Sequence, residues 1–484
     1  MDSPPPPPPP SATKLVEICR VTPPPDSSST GISLPLTFFD TLWLKFHPVE
    51  RIFFYKLSST SSSPSEFHAA VVPRLKRSLS VALRRFLPLA GNLTWPADAD
   101  VPLILYSPGD GVSLTIAESA ADEFDPLAGD GPRGAILSRA YLPKLSVSKS
   151  NGAVLALQIT LFPNKGFCIG VAAHHAVLDG KSTVMFLKAW AHISSKLGSC
   201  DDGDGTLTEG LTPFLDRTVV KDPEGIALED VQAWMCLCGG QKSLELWPEP
   251  VPTDSESNQL RATFKLSKQD ILRLKQSVLL QLESNDNKLE IHPRNISTFV
   301  VTSTYALVCM VKAKGLVLEE DKKKALLIFS ADCRSRLEPP LPSNYLGNCV
   351  MPFNADLTIG NLIDHEAGIT YAAHKLVEVI RELEKGVIVG AKGRLARFFG
   401  EMEERKDEVL IGVGVAGSPR LGVYGVDFGY GRPEKVEITS IDGSSAISMA
   451  ESGDGSGGVE VGVVMRRHEM EKFTSFFTDG LKHI

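Results

Sequence analysis

In the stretch AVLALQITLFPNKGFCIGVAAHH, residues 153–175, apolar residues fill nearly every position on either side of Pro163-Asn164-Lys165-Gly166. Two such runs around a turn predict a β-hairpin, and apolar or small residues on both faces of the second run predict a buried, central strand. The following segment, KSTVMFLKAWAHISSKL, changes to the three-and-four spacing of a helix. Nearer the N-terminus, LVEICRVTP alternates as a strand does, and SLPLTFFDTLWLKFHPVERIFFYKL runs through an aromatic-rich segment into another strand. EFHAAVVPRLKRSLSVALRRF reads as an amphipathic helix interrupted near Pro73, ending before the turn LPLAGNL.

Residues 198–225 are acidic and rich in Gly and Pro, the composition of a crossover linker. Beyond them, SKQDILRLKQSVLLQL, ISTFVVTSTYALVCMVKAKG and LIDHEAGITYAAHKLVEVIRELE predict helices. KALLIFSAD, KVEITSI, AISMAE and GVEVGVVM predict strands, and RRHEMEKFTSFFTDGL predicts a closing helix. The alternation lacks the rhythm of a doubly wound nucleotide fold and has no repeat of 20 to 50 residues. It predicts an α/β protein of mixed sheets with flanking helices. Its domains are an N-terminal one over 1–197, whose first 12 residues are a proline-rich tail, and a C-terminal one over 226–484.

Composition narrows the function. Lys plus Arg number 50 against 58 Asp plus Glu, a net charge of -8, which lacks the basic footprint of a nucleic-acid binder. Lys322-Lys323-Lys324 follows Glu319-Glu320-Asp321 and reads as a solvated charge run. Eight cysteines without paired C-x-x-C spacing argue against a zinc site and for reduced, buried thiols. The start MDSPPPPPPPSATK lacks the basic and apolar regions of a signal peptide, and no apolar run reaches the ~18 residues of a membrane span. The cytosol is the expected address, and Asn92-Leu-Thr94 and Asn295-Ile-Ser297 are then not expected to carry glycans.

Several familiar chemistries fail on spacing. Gly180-Lys181-Ser182 resembles the end of a phosphate loop, but His175 stands where that loop needs its first glycine. His468-Glu469 has no second histidine one turn on, so the zinc-protease helix is missing. No G-x-S-x-G occurs, and Asp427-Phe428-Gly429 comes without the upstream motifs of a kinase. His175 and Asp179 remain. Adjacent strand residues point to opposite faces, so His174 and His175 cannot both face one cleft, and only His175 is followed by an acid four residues on. A histidine at a strand end suits a general base, while Asp179 can cap the next helix. Asp427, set among Gly425, Gly429 and Gly431, reads as an acid that fixes a sharp loop and pairs with a cation.

His175-Ala176-Val177-Leu178-Asp179, followed by Asp427-Phe428-Gly429-Tyr430-Gly431, resembles the two signatures of the plant BAHD acyltransferases. LPLTFFD, FLPLAGNL, ADCRSRLEPPLP, NYLGNC and KVEITSID stand in that family's order, and the branch most resembled acylates phenolic and flavonoid glucosides, with malonyl the donor group. Tyr430 stands in place of the usual tryptophan and Leu346 in place of the usual phenylalanine.

The resemblance implies two chloramphenicol-acetyltransferase-like domains with a channel between them. It implies an acyl-coenzyme A co-substrate, with malonyl-coenzyme A the expected donor, no bound cofactor or metal, no membrane, and a monomer. His175 would be the base, and Asp179 would turn away from the channel toward an arginine, for which Arg334 is the candidate. The Asp427 loop would maintain the donor side, with direct proton transfer by Asp427 an alternative. Lys265 and Ser267 are candidate contacts for coenzyme A phosphates. A hydroxycinnamoyl donor, or an inactive metabolite-binding paralogue, are the competing readings.

Overall fold

A computed structural model describes residues 13–25, 31–197, 206–248, 258–284, 296–316 and 323–484. The proline-rich tail, Cys200, Asn295 and residues 319–322 of the charge run lie outside these ranges.

The hairpin predicted around Pro163 forms from strands Leu155–Phe162 and Gly166–Ala173, every residue of both being buried. Asn164 takes φ of 61° in the turn, a conformation asparagine tolerates. The second strand sits between the first and Val49–Lys56, antiparallel to both. This buried centre explains why its pattern is apolar on both faces. The whole sheet has six strands, with Thr13–Val21 and Val112–Ser119 on one side of the hairpin and Lys435–Ile438 beyond Val49–Lys56.

A second, seven-stranded sheet holds Lys324–Asp332, Val350–Thr358, Val409–Gly417, Ile447–Glu451, Val459–Arg466, Gln259–Leu266 and the short Arg133–Gly134. Parallel and antiparallel neighbours occur in both sheets. A four-stranded sheet including Asn92–Thr94 and Leu103–Tyr106 completes the N-terminal part.

The sheets trade edge strands. Lys435–Ile438, from the C-terminal half, closes the N-terminal sheet, and Arg133–Gly134, from the N-terminal half, joins the C-terminal one. The stretch read as a linker also enters the interior: Phe214 bridges to Tyr345, and Arg217 is buried in an ion pair with Asp40. Packing therefore joins the two halves on either side of residues 198–225.

Helix Gly180–Leu197 packs in the N-terminal core, with eleven of its residues buried, among them Phe186 and Trp190. It packs on Val72–Arg85, where Trp190 Nε1 donates to Leu75 O at 3.1 Å and Ser78 Oγ at 3.0 Å. The interruption read near Pro73 is a π-helical turn, Phe67–Val71, with the proline just inside the regular helix that follows. Among the described residues no helix is long and apolar enough to cross a membrane.

Candidate active site

The chemistry begins where the hairpin's second strand ends. His174 N donates to Val154 O at 2.9 Å, Val177 N then returns to His174 O at 2.9 Å, and the chain leaves the sheet. The two histidines separate as alternation requires. His174 is fully buried and its Nδ1 accepts from Ala176 N at 3.2 Å, so its ring serves the turn. His175 keeps partial exposure.

The imidazole of His175 lies flat on the indole of Trp43, with centroids 4.2 Å apart and planes 2° from parallel, and Phe46 meets it edge-on at 6.2 Å. Nδ1 is the enclosed nitrogen, without a hydrogen-bond partner, which leaves Nε2 toward the open side. Burial pushes the pKa of His175 down to about 4, against a weaker upward pull from its own backbone and Asp179. The ring is therefore neutral at pH 7, the form that can accept a proton.

Its backbone is fixed from the other half of the molecule. Asn348 Nδ2 donates to His175 O at 2.8 Å and to Asp40 Oδ1 at 3.1 Å. Asp40, fully buried, also accepts from Thr37 N at 2.8 Å, Thr37 Oγ1 at 2.7 Å and Arg217. Asp40, Asn348, Arg217 and Trp43 are the functional neighbours that sequence reading missed. LPLTFFD and NYLGNC are visible as motifs, but nothing in either string says that they meet beneath a histidine.

Asp179 is entirely occupied. Its Oδ1 caps the central helix by accepting from Ser182 N at 2.8 Å, while Oδ2 pairs with Arg334 Nη2 at 2.8 Å and accepts from Cys349 N at 3.1 Å. Arg334 continues to Gly347 O at 3.0 Å, which also accepts from Ser182 Oγ at 2.8 Å. Leu346, in place of the usual phenylalanine, is buried in this same turn. Asp179 thus anchors the turn that carries His175, with both of its oxygens engaged away from the imidazole.

Asp427 requires a correction on its expected partner. Among the described residues its carboxylate has no ion pair: Oδ1 accepts from the N–H groups of Gly429, Tyr430 and Gly431 at 2.7, 3.1 and 2.9 Å. It is also exposed. The turn it closes needs φ of 90° at Gly429 and 95° at Gly431, and a Cβ on Gly429 would collide with the Arg74 guanidinium.

Arg74 serves this loop through Phe428 O, at 3.1 Å, and the face of Tyr430, at 4.9 Å. Tyr430 keeps the aromatic role of the tryptophan it replaces, packing edge-on against Phe167 at 5.8 Å. Phe428 packs on Trp190 at 4.7 Å, and Ser194 Oγ donates to Phe428 O at 3.1 Å. The loop holds the C-terminal end of the helix whose N-terminal end follows Asp179.

Lys265 and Ser267 lie at the end of strand Gln259–Leu266 and the start of helix Lys268–Ser284, both engaged internally. Lys265 Nζ pairs with Asp130 at 2.8 Å, and Ser267 Oγ donates to Asp270 at 2.6 Å.

A model of the transferase family matches residues 16–479. Phenolic glucoside malonyltransferase 1 of Arabidopsis thaliana is 41% identical, with 98% of each chain covered. Malonyl-CoA:anthocyanidin 5-O-glucoside-6''-O-malonyltransferase of the same plant is 40% identical over 98% of this chain and 99% of its own. Agmatine coumaroyltransferase, also from Arabidopsis thaliana, is 36% identical over 96% and 98%. In fold, the chain is similar to vinorine synthase, with a TM-score of 0.67 at 21% identity over 96% of this chain and 98% of that one. Since these matches run nearly end to end and join the same two signatures that the fold places at opposite ends of one helix, the chain belongs to the transferase family of BAHD acyltransferases, enzymes that use acyl-coenzyme A as co-substrate.

Proposed function

We propose that this acyltransferase moves a malonyl group from malonyl-coenzyme A to a sugar hydroxyl of a phenolic or flavonoid glucoside, with His175 as general base. One observation carries the acceptor side: an unbroken run of aromatic rings leads from His175 to the surface. Trp43 and Phe46 flank the imidazole, Phe46 meets Trp234 at 6.3 Å, and Trp234 meets Trp247 and Phe399 at 6.2 and 5.5 Å. Trp247 is 44% exposed and Phe398, beside Phe399, is 46% exposed. Aromatic surroundings of this kind suit a flat phenolic acceptor, whose attached sugar would then reach the proposed base.

In the reaction, Nε2 of neutral His175 takes the proton of the sugar hydroxyl as its oxygen attacks the thioester carbonyl. The tetrahedral intermediate collapses, the carbon–sulfur bond breaks, and the imidazolium returns the proton to the leaving thiolate. No acyl-enzyme forms. Asp179, Asn348 and Asp40 hold the imidazole without touching substrate, and Phe428, Gly429, Tyr430 and Gly431 hold the helix behind it. Lys265 and Ser267 are the proposed contacts of the coenzyme A phosphates, Lys265 exchanging Asp130 for phosphate on binding. The enzyme is taken to act as a cytosolic monomer.

The donor side is supported by the names of the two malonyltransferase relatives, while a coumaroyl-named relative keeps the aromatic donor as the competing outcome. Mass spectrometry of products after purified enzyme meets a mixture of acyl-coenzyme A donors and phenolic glucosides tests all of this. A product heavier by one malonyl group is expected. A hydroxycinnamoyl ester, or no ester at all, overturns the reading.

A further inference from the structure

Helix Ile226–Leu237 is followed by a segment without regular structure, residues 241–247, that is nevertheless pinned to the N-terminal half at several points. Leu244 is fully buried in the N-terminal core, and its N–H donates to Lys149 O at 2.8 Å. Lys242 Nζ donates to Pro96 O, Ala97 O and Ala99 O at 3.2, 2.9 and 2.7 Å.

Lys45 adds a hold from the side of the base. It is only 2% exposed, and its Nζ donates to Ser243 O and Glu245 O, while its own carbonyl accepts from Trp247 N at 2.8 Å. Burying an ammonium is costly, and charge-assisted bonds to two main-chain carbonyls offset that cost only while the segment stays in place. The segment and the residues around Lys45 are therefore held as one unit. Those residues include Trp43 and Phe46, the rings that flank His175.

What this anchoring presents is Trp247. Its indole is 44% exposed and lies against Phe399, with centroids 5.9 Å apart and planes 22° from parallel. Trp234, in contact with both rings, is 2% exposed and its Nε1 donates to Thr41 O at 2.9 Å, so it backs the row and leaves the outer face to Trp247. Three ring-to-ring steps of 6.2, 6.3 and 6.2 Å, through Phe46 and Trp234, lead from His175 to Trp247. A large apolar ring fixed in the open at the outer end of a row that begins at the proposed base is placed to contact whatever extends outward from the reacting hydroxyl.

We propose that Trp247 reads the aglycone of the acceptor by ring-on-ring contact, and that Lys45 is a positioning residue that acts through it. The inference rests on the acceptor being a phenolic or flavonoid glucoside with its sugar at His175. The test is the ratio of kcat/KM for a flavonoid glucoside to that for methyl glucoside, two acceptors that share the sugar and differ in the aromatic part, with malonyl-coenzyme A as donor.

Wild type is expected to favour the flavonoid glucoside. Trp247→Ala should lower the ratio about tenfold, the scale of one aromatic contact, and Trp247→Phe should keep most of it. Lys45→Met should lower the ratio by about threefold or more in the wild-type background, and by less than about twofold when added to Trp247→Ala, because its effect passes through the indole. Lys45→Arg, with the charge kept and the geometry changed, serves in the same cycle if the methionine variant does not fold. An unchanged ratio in Trp247→Ala leaves the indole to another occupant, such as a second copy of the chain, and overturns the proposal with transfer intact. Additive losses from Lys45 and Trp247 overturn the positioning role of Lys45. A wild type that forms no ester with the flavonoid glucoside overturns the acceptor reading itself, and the role of Trp247 with it.

Discussion

The two acids of the signatures, Asp179 and Asp427, sit near opposite ends of one helix and do different work. Asp179 is 1% exposed, and its two oxygens hold a guanidinium, a helix N-terminus and a backbone N–H from the other half of the molecule. Asp427 is exposed, and one of its oxygens gathers three N–H groups of its own turn. The first joins distant pieces of chain around the base; the second shapes a loop that then grips the helix through Phe428 and Tyr430. A carboxylate four residues from a catalytic histidine need not be its proton relay. What matters is where its lone pairs already point.

The comparison is sharpened most by removing the base itself. His175→Ala should lower kcat by at least ~10²-fold with the fold intact, because the proposed base is removed while its Nδ1 has no hydrogen-bond partner to lose. Equal activity would remove His175 from the mechanism.

Asp179→Asn should cost both fold and rate. It removes one of the two carboxylates paired with buried Arg334, Asp332 remaining at 3.0 Å, so a loss of up to about 3 kcal/mol is expected, readable by denaturant titration. Turnover should fall with it, since the turn that aims the imidazole loosens. Poor turnover with unchanged stability would instead point to a direct chemical role.

Asp427→Ala should do less, with a smaller drop in melting temperature than Asp179→Asn and less than ~10-fold in kcat, and Asp427→Asn should restore most of it, because an amide oxygen still accepts the three N–H groups. A failure of Asn to rescue would mean that the charge at Asp427 matters, reversing the contrast drawn here.

The subtlest test is pH. With His175 lowered from 6.5 to about 4, the acid limb of kcat/KM should lie near the lower value. His174, lowered to about 3 by burial, then by the neighbouring His175 and Lys45, shifts the same way. The folded state resists protons that the unfolded chain accepts below pH 6.5. Stability from both rings is therefore present above that pH and lost as pH falls toward their folded values. An acid limb centred at 6.5 would mean an imidazole more open to water than its packing on Trp43 allows.

Much of this was legible beforehand because it is local. Hairpin, central helix and closing helix follow from periodicity, and a strand buried on both faces announces itself by having no polar face. The partners were not legible for the opposite reason. Arg217 lies in a stretch whose composition says linker, yet it is buried against Asp40, 177 positions away. Asp427 looked like an acid awaiting a cation because spacing shows its glycines but not the three N–H groups they turn inward.

By itself the sequence determined the main elements, the family and the one histidine proposed as base. These depend on residues close together in the chain, where side-chain periodicity and turn chemistry operate. Tertiary structure decided which carboxylate anchors, which folds a loop, and where aromatic rings line up to the surface. Each of those is a relation between residues often hundreds of positions apart, and charge pairing and burial become defined only once the two halves of the chain have packed together.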